Sequence, residues 1–352
     1  MADIKKKSVE FANFQGTLGG STGLIEQLTE ILLPAFLDEH IFPDAKALPF
    51  YLADVVIVPS PINNDTSVAI CGRYIVKKKF IKTQDYDPST KKRKKAHGIL
   101  EDYPSAIFWL DLSTHHLAYV KETLFAPTIK NFESACNVCL RCSRKKHIEN
   151  SAIKDHPNKY GRGKLIAEYS KKFPNIDLNI VPFHSKHLLE QAFSRIVKLQ
   201  HIDLAFVADN ATLLNLRPLQ KEILAAQKDV STDSISKHSL SFTAVGRDST
   251  LDKDGTKAVL DEIAGKGYGV YKFRGKDNKS ETVKGDSQDN VTLRDHIDLN
   301  TEQPMSVIAK LLGKFYTKQM IPNNTLITSK VQAAITSIRT RLNKRQPSVE
   351  QE

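Results

Sequence analysis

Apolar and polar positions alternate from Ser8 to Phe14 at the two-residue period of a strand. After the glycine-rich stretch Gly16 to Gly23 the period lengthens, and Leu24, Ile25, Leu28 and Ile31 recur at helical spacing. Val55 to Pro59 and Ser67 to Phe80 are dense in β-branched residues and flank Asn63-Asn64-Asp65, which predicts two strands joined by a turn. A second hairpin is predicted for Ala106 to Leu112 and Leu117 to Glu122, turning at Ser113-Thr114-His115-His116. Pro127 suits a helical first turn, and the helix it opens runs to about His147 with Ile129, Phe132, Ala135, Cys136, Cys139 and Leu140 on one stripe.

The polar stretch Glu149 to Arg162 reads as a linker, and beyond it the elements alternate. Strands are expected at Asp177 to Phe183, Asp203 to Val207, Leu240 to Gly246 and Tyr268 to Arg274, with helices at Lys186 to Leu199, Leu216 to Ala226 and Asp252 to Ala264. Two helices close the chain, Gln303 to Lys318 and Thr325 to Arg345. The last carries Val331, Ala334, Ile335, Ile338 and Leu342 on one face, to dock on the core or on a second subunit. The pattern predicts a mixed α/β (α+β) fold: a sheet-rich domain with hairpins and a long helix over 1–150, an α/β domain over 151–300, and a helical segment over 301–352. A chain of 352 residues is long enough for more than one core.

Hydrophobic residues make up 40% and charged residues 26%, an ordinary globular balance. No apolar run reaches the roughly 18 residues of a membrane span. The opening Met-Ala-Asp-Ile-Lys-Lys-Lys lacks the apolar stretch of a secretory signal, so a cytoplasmic protein without direct membrane insertion is expected. Four cysteines, three of them at 136, 139 and 142, do not form an extracellular disulfide framework.

Charge changes the picture most. Lys and Arg number 51 against 40 acidic residues, a formal charge of +11, and the pI is near 9.3. The excess is clustered. Arg73, Lys77, Lys78, Lys79, Lys82, Lys91, Lys92, Arg93, Lys94 and Lys95 share one stretch with only Asp85 and Asp87, the second run being expected in a loop. Arg144, Lys145 and Lys146 end the long helix, and Arg339, Arg341, Lys344 and Arg345 stand on the last one. Converging clusters of this kind bind phosphate backbones by releasing condensed counterions, whereas separately they are solvated faces, or, at a helix end, partners of the macrodipole. Tyr74, Phe80 and Tyr86 interleave too thinly for a single-strand stacking platform, so duplex DNA is the expected partner. An anionic membrane surface is the rival polyanion, and an acidic protein partner is a further alternative.

Other chemistry is less well supported. Cys136-x-x-Cys139-x-x-Cys142 lies within a continuous helix and lacks a distant second ligand pair, so buried thiols are expected and no metal or cofactor is assigned. Gly16 to Gly23 lacks the P-loop lysine and is read as a turn, with Ser21 or Thr22 as helix cap. His115-His116 at a hairpin tip and His184-x-x-His187 lack a metalloprotease pattern, and Asp252-Lys-Asp254-Gly255 reads as a helix cap because Ile263 stands where a calcium loop needs glutamate. An enzymatic alternative, a metal-dependent nuclease, rests on Asp177, Asp203 or Asp209 at strand ends.

The run Tyr103-Pro-Ser-Ala-Ile-Phe-Trp-Leu-Asp-Leu through Phe125-Ala-Pro-Thr128, leading into Phe132, resembles RexA-like phage-exclusion proteins in its Pro-Ser strand, hairpin and helix start. Gly269 to Gly285, closing on Ile297-Asp298-Leu299, is similar in order and length to the segment before their last helices, and a basic helix ends both. Ala152 to Phe173 is additional to that pattern. The resemblance implies a fold related to the RdgC recombination-associated proteins and a homodimer that binds double-stranded DNA with little sequence preference. It also implies a role as sensor or scaffold in antiphage defence and a RexB-like membrane protein as partner. It carries over no individual contact residue.

Overall fold

The computed structural model describes residues 6–19, 22–38, 49–60, 67–157, 162–207, 237–246, 249–265, 267, 269–289, 291–298, 304–318, 320–321 and 328–345. Strand β1 (Lys7–Leu18) and the short β2 (Thr22–Gly23) lead through 3-10 and π turns, Leu24–Gln27 and Leu28–Leu32, into helix α1 (Leu33–Leu37). Six strands follow: β3 (Phe50–Pro59), β4 (Val68–Val76), β5 (Lys78–Asp87), β6 (Lys92–Asp102), β7 (Ser105–Asp111) and β8 (His116–Lys121). Next come α2 (Ile129–Asp155), α3 (Arg162–Lys172), β9 (Ile176–Pro182), α4 (Lys186–Arg195), β10 (Lys198–Val207) and β11 (Lys237–Thr243). The chain continues through α5 (Lys253–Gly265), β12 (Gly269–Lys276), β13 (Thr282–Asp286) and β14 (Arg294–Ile297) to α6 (Pro304–Thr317) and α7 (Ser329–Arg345). The fold is mixed α+β, as the pattern predicts.

The main sheet runs β14-β1-β8-β7-β4-β3, and β2 and β9 also pair with β1. Its two faces bury different apolar sets, as strand alternation requires. Ala12, Phe14, Ile70, Phe108, Leu110 and Tyr119 meet the α1 region, α2 and α7 on one face. Phe11, Cys71, Ile107, Trp109, Ala118 and Val120 meet α6 on the other. The last helix therefore docks on the core of its own chain, through Val331 and Ile335. Thr128 starts α2 with a reciprocal capping box: its hydroxyl accepts from the Asn131 amide at 3.2 Å while Asn131 Oδ1 accepts from the Thr128 amide at 3.0 Å.

Beyond residue 150 the chain does not stay apart from the main sheet. The expected linker is mostly helix, since α2 continues to Asp155 and α3 begins at Arg162. β9 then pairs with β1 from Ala12↔Pro182 to Leu18↔Ile176. A second sheet, β11-β10-β12-β13, is antiparallel throughout and packs one face on α4 and α5 through Leu189, Phe193, Ile202, Leu260 and Phe273. Alternating helices and strands led here to antiparallel pairing. The glycine-rich stretch also differs from expectation: Gly16 to Leu18 belong to β1 and Thr22 to β2, so Thr22 is a strand residue and caps no helix. Ser21, Asn63-Asn64-Asp65 and the expected helix from Leu216 to Ala226 lie outside the described residues.

The β7–β8 turn is held by Asp111, whose Oδ1 accepts from the amides of Ser113 and Thr114 at 2.9 and 2.8 Å and from their hydroxyls at 2.8 and 3.0 Å. Far from standing at an open tip, His115 and His116 are buried, and His116 hydrogen-bonds Tyr316 of α6. Burial pushes their pKa values down to about 4 and about 3. Both rings are neutral in the fold, while in the unfolded chain they take up protons near pH 6.5. The stability they confer is complete above that pH and is lost as the pH falls toward 4, because the unfolded state then binds more protons. The melting temperature should accordingly drop between pH 7 and pH 5; a flat profile there would contradict neutral burial. A second expectation concerns Gly285, where an added Cβ would lie 2.0 Å from Cζ of Phe273. Gly285→Ala should cost about 1–3 kcal/mol by overpacking, read by denaturant titration.

Candidate nucleic-acid interface

β5 and β6 form a separate two-stranded sheet in register from Lys78↔Asp102 to Asp87↔Lys92. Ten residues of strand extend about 33 Å. Lys91 to Lys95, expected in a loop, mostly belong to β6, with Lys91 closing the turn in left-handed backbone at φ 52°. A ribbon exposed on both faces needs no apolar alternation, which is why its sequence reads as a loop.

The register separates the charges. On one face Asp85 stands opposite Lys94 and Asp87 opposite Lys92, the opposite-charge pairing that stabilises antiparallel strands. On the other face Gln84 stands opposite Lys95 and Tyr86 opposite Arg93, followed toward the base by Lys82 opposite Gly98 and Phe80 opposite Leu100. The bulge between Lys82 and Gln84 sets this phase, because β5 advances two residues where β6 advances three. Lys91, Lys92, Arg93 and Lys95 are exposed and make no ion pair among the described residues. By register, one face of the distal ribbon sets acidic positions opposite Lys92 and Lys94, and the other sets none opposite Arg93 and Lys95.

The remaining basic candidates are dispersed and mostly engaged. A bulge in β3 puts Asp54 in left-handed backbone, φ 53°, with its carboxylate 2.6 Å from Arg73. Glu122 takes Arg73 Nε at 3.1 Å. Burial opposes the Arg73 charge, yet hydrogen bonds to these two carboxylates hold its pKa above the ordinary value. Lys77 and Lys79 share Glu101 at 2.8 and 3.7 Å; the Lys77 hydrogen bond raises the lysine and lowers the carboxyl. Lys78 donates to the Phe125 carbonyl at 2.9 Å. On α2, Arg144 donates to the Phe173 carbonyl at 2.6 Å, Lys145 stands 3.9 Å from Glu149, and Lys146 pairs with Asp38 at 2.6 Å. Arg339 donates to the Ser67 carbonyl at 2.5 Å, at the end of β4 away from the ribbon. Arg341 is exposed on α7, while the side chains of Lys82, Lys344 and Arg345 lie outside the described residues. Among the described residues, Arg73, Lys77, Lys78, Lys79, Arg144, Lys145, Lys146 and Arg339 are thus engaged by partners within the chain.

Sequence reasoning missed two features. The turn before α2 exposes Leu124 and Phe125 beside the ribbon base, and the outer face of the second sheet exposes Lys272 and Arg274, with Lys272 3.3 Å from Asp286. Consecutive apolar residues between Glu122 and Pro127, outside either hydrophobic period, were the available signal for the first.

Burial raises the Cys71 and Cys139 thiols to about 12 and pushes Cys136 up as well, which suppresses the reactive thiolate. His184 lies 3.1 Å from Asp261, whereas His187 meets Gln191, so the two histidines do not converge. Asp252 accepts from the Asp254 amide at 3.1 Å at the start of α5. Asp177 and Asp203 stand in different sheets, Asp209 lies outside the described residues, and no metal-holding group of three His, Cys, Asp or Glu forms among those described. No described helix is long and apolar enough to cross a membrane. No protein-family model matches the chain, and no curated protein matches it significantly.

Arg73 provides a control. Arg73→Ala should lower stability by about 1 kcal/mol by removing the partner of the partly buried Glu122, Asp54 being largely exposed, and it should leave any affinity for polyanions unchanged. Weakened binding without lost stability would return Arg73 to the interface.

Proposed function

We propose that the chain binds double-stranded DNA through the phosphate backbone, without catalysing a reaction on it, and that the β5–β6 ribbon makes the contact. One observation carries this reading: Arg93 and Lys95 share a ribbon face that has no acidic residue opposite them, while Lys92 and Lys94 stand across from carboxylates. The major groove admits a two-stranded ribbon, and about 33 Å of strand approximates one turn of duplex at about 34 Å. Contacts to phosphate fix position without reading sequence, so binding is expected to show little base preference.

The resemblance to RexA-like proteins supplies the proposed setting: a cytoplasmic sensor or scaffold in phage exclusion, acting as a homodimer with a RexB-like membrane protein as partner. The ribbon supports DNA binding and is silent on the trigger.

Affinity for a random duplex should fall linearly on a logarithmic plot against salt, as counterion release demands. Arg93→Gln with Lys95→Gln should reduce the slope by roughly 2, near one for each phosphate that is no longer neutralised. Lys92→Gln with Lys94→Gln should change it less. Equal slopes for both double variants and the native chain, measured by fluorescence anisotropy at several salt concentrations, would reject the ribbon as the binding element.

A further inference from the structure

The ribbon face that carries Arg93 and Lys95 continues at its base into exposed apolar side chains. Leu100 is 65% exposed opposite Phe80, and the Phe80 ring centroid lies 5.9 Å from that of Phe125. Phe125 is 58% exposed and its neighbour Leu124 77%. The turn that presents this pair is built rather than loose. The Ala126 amide donates to the Thr123 carbonyl at 3.3 Å, and the Thr123 hydroxyl accepts from the Ser105 amide at 2.9 Å. Lys78 donates to the Phe125 carbonyl with its ammonium 6.0 Å from the ring centroid. Phe125 itself is held at φ 61°, a conformation that costs a bulky residue energy and favours glycine. The fold thus keeps two large apolar side chains exposed against solvation, and holds Phe125 against backbone preference as well.

We propose that Leu124 and Phe125 form a wedge that enters between base pairs of the duplex held by the ribbon, unstacking one step and bending the DNA. This rests on the reading of the ribbon as a duplex-binding element and adds to it what the apolar end does. Charge complementarity selects the occupant. The wedge stands at the foot of the face whose far end presents Arg93 and Lys95, which make no ion pair among the described residues, so a polyanion bound along that face passes over it. A duplex is a polyanion with an apolar interior, and Phe and Leu are side chains that open base steps in this manner. Insertion also lets a straight duplex follow the strong twist of a two-stranded ribbon.

The test uses the full chain with duplexes that carry 2-aminopurine at successive positions and dyes at both ends. Native protein should at least double 2-aminopurine emission at one position and raise end-to-end energy transfer. Leu124→Ser with Phe125→Gly should abolish both while keeping the salt slope, since no cation is removed. Leu124→Ser alone should reduce the emission change, which guards against a folding defect in the double variant, itself checked by its melting temperature. Salt-dependent binding without any emission change would overturn the wedge and leave the ribbon reading standing; absence of salt-dependent binding would remove both. Two other results would also overturn the wedge. One is loss of binding to vesicles containing phosphatidylserine in the double variant with unstacking intact, and the other is conversion of a dimer to a monomer with unstacking intact.

Discussion

The structure depends on one strand being paired along both edges and covered on both faces. Ten of the twelve residues of β1 are buried. One edge meets β8 and β2, the other β14 and β9. A buried backbone amide or carbonyl left unpaired costs about as much as a lost hydrogen bond, so β1 is stable only when segments from distant parts of the chain reach it. Lys7 pairs with Ile297 and Leu18 with Ile176. Such long-range pairing makes closure of the sheet slow compared with local elements. It also joins the expected first and second domains into one hydrogen-bonded system, because β9 and β14 are drawn from beyond residue 150.

What was legible in the sequence follows from this. β7 and β8 are adjacent in sequence and in space, and two apolar runs either side of a turn were sufficient to place them. The α2 stripe was equally plain, since Phe132, Cys136, Cys139 and Leu140 all bury. β9 was recognised as a strand, but its partner was not, because pairing with β1 leaves no local trace. His115 and His116 looked like tip residues because nothing near them in sequence reveals that α6 covers that turn. Beyond residue 180 the expected elements that fall within the described residues have the expected types, yet hydrophobic period carries no strand direction, and the second sheet is antiparallel.

The candidate site was legible in part. Net charge is a property of the whole chain and does not say which cations remain available. Glu122 pairs with Arg73 and Asp38 with Lys146, both across sequence separations that no run of residues discloses. Composition directed attention to Lys91 to Lys95, but only the register distinguishes Arg93 and Lys95 from Lys92 and Lys94. The apolar pair at 124 and 125 carries no charge, so a pattern of basic residues gives no sign of it.

The bulge between Lys82 and Gln84 has a wider significance. Side chains in a ribbon alternate strictly, so one extra residue in β6 transposes the outer half of that strand relative to its base. Inserting a single residue in β5 opposite the bulge would make both strands advance three and so exchange the two faces of the outer half, without altering composition or isoelectric point to any degree that matters. The division of cations between the two faces of this ribbon is therefore set by parity, which the charge content of the segment does not record.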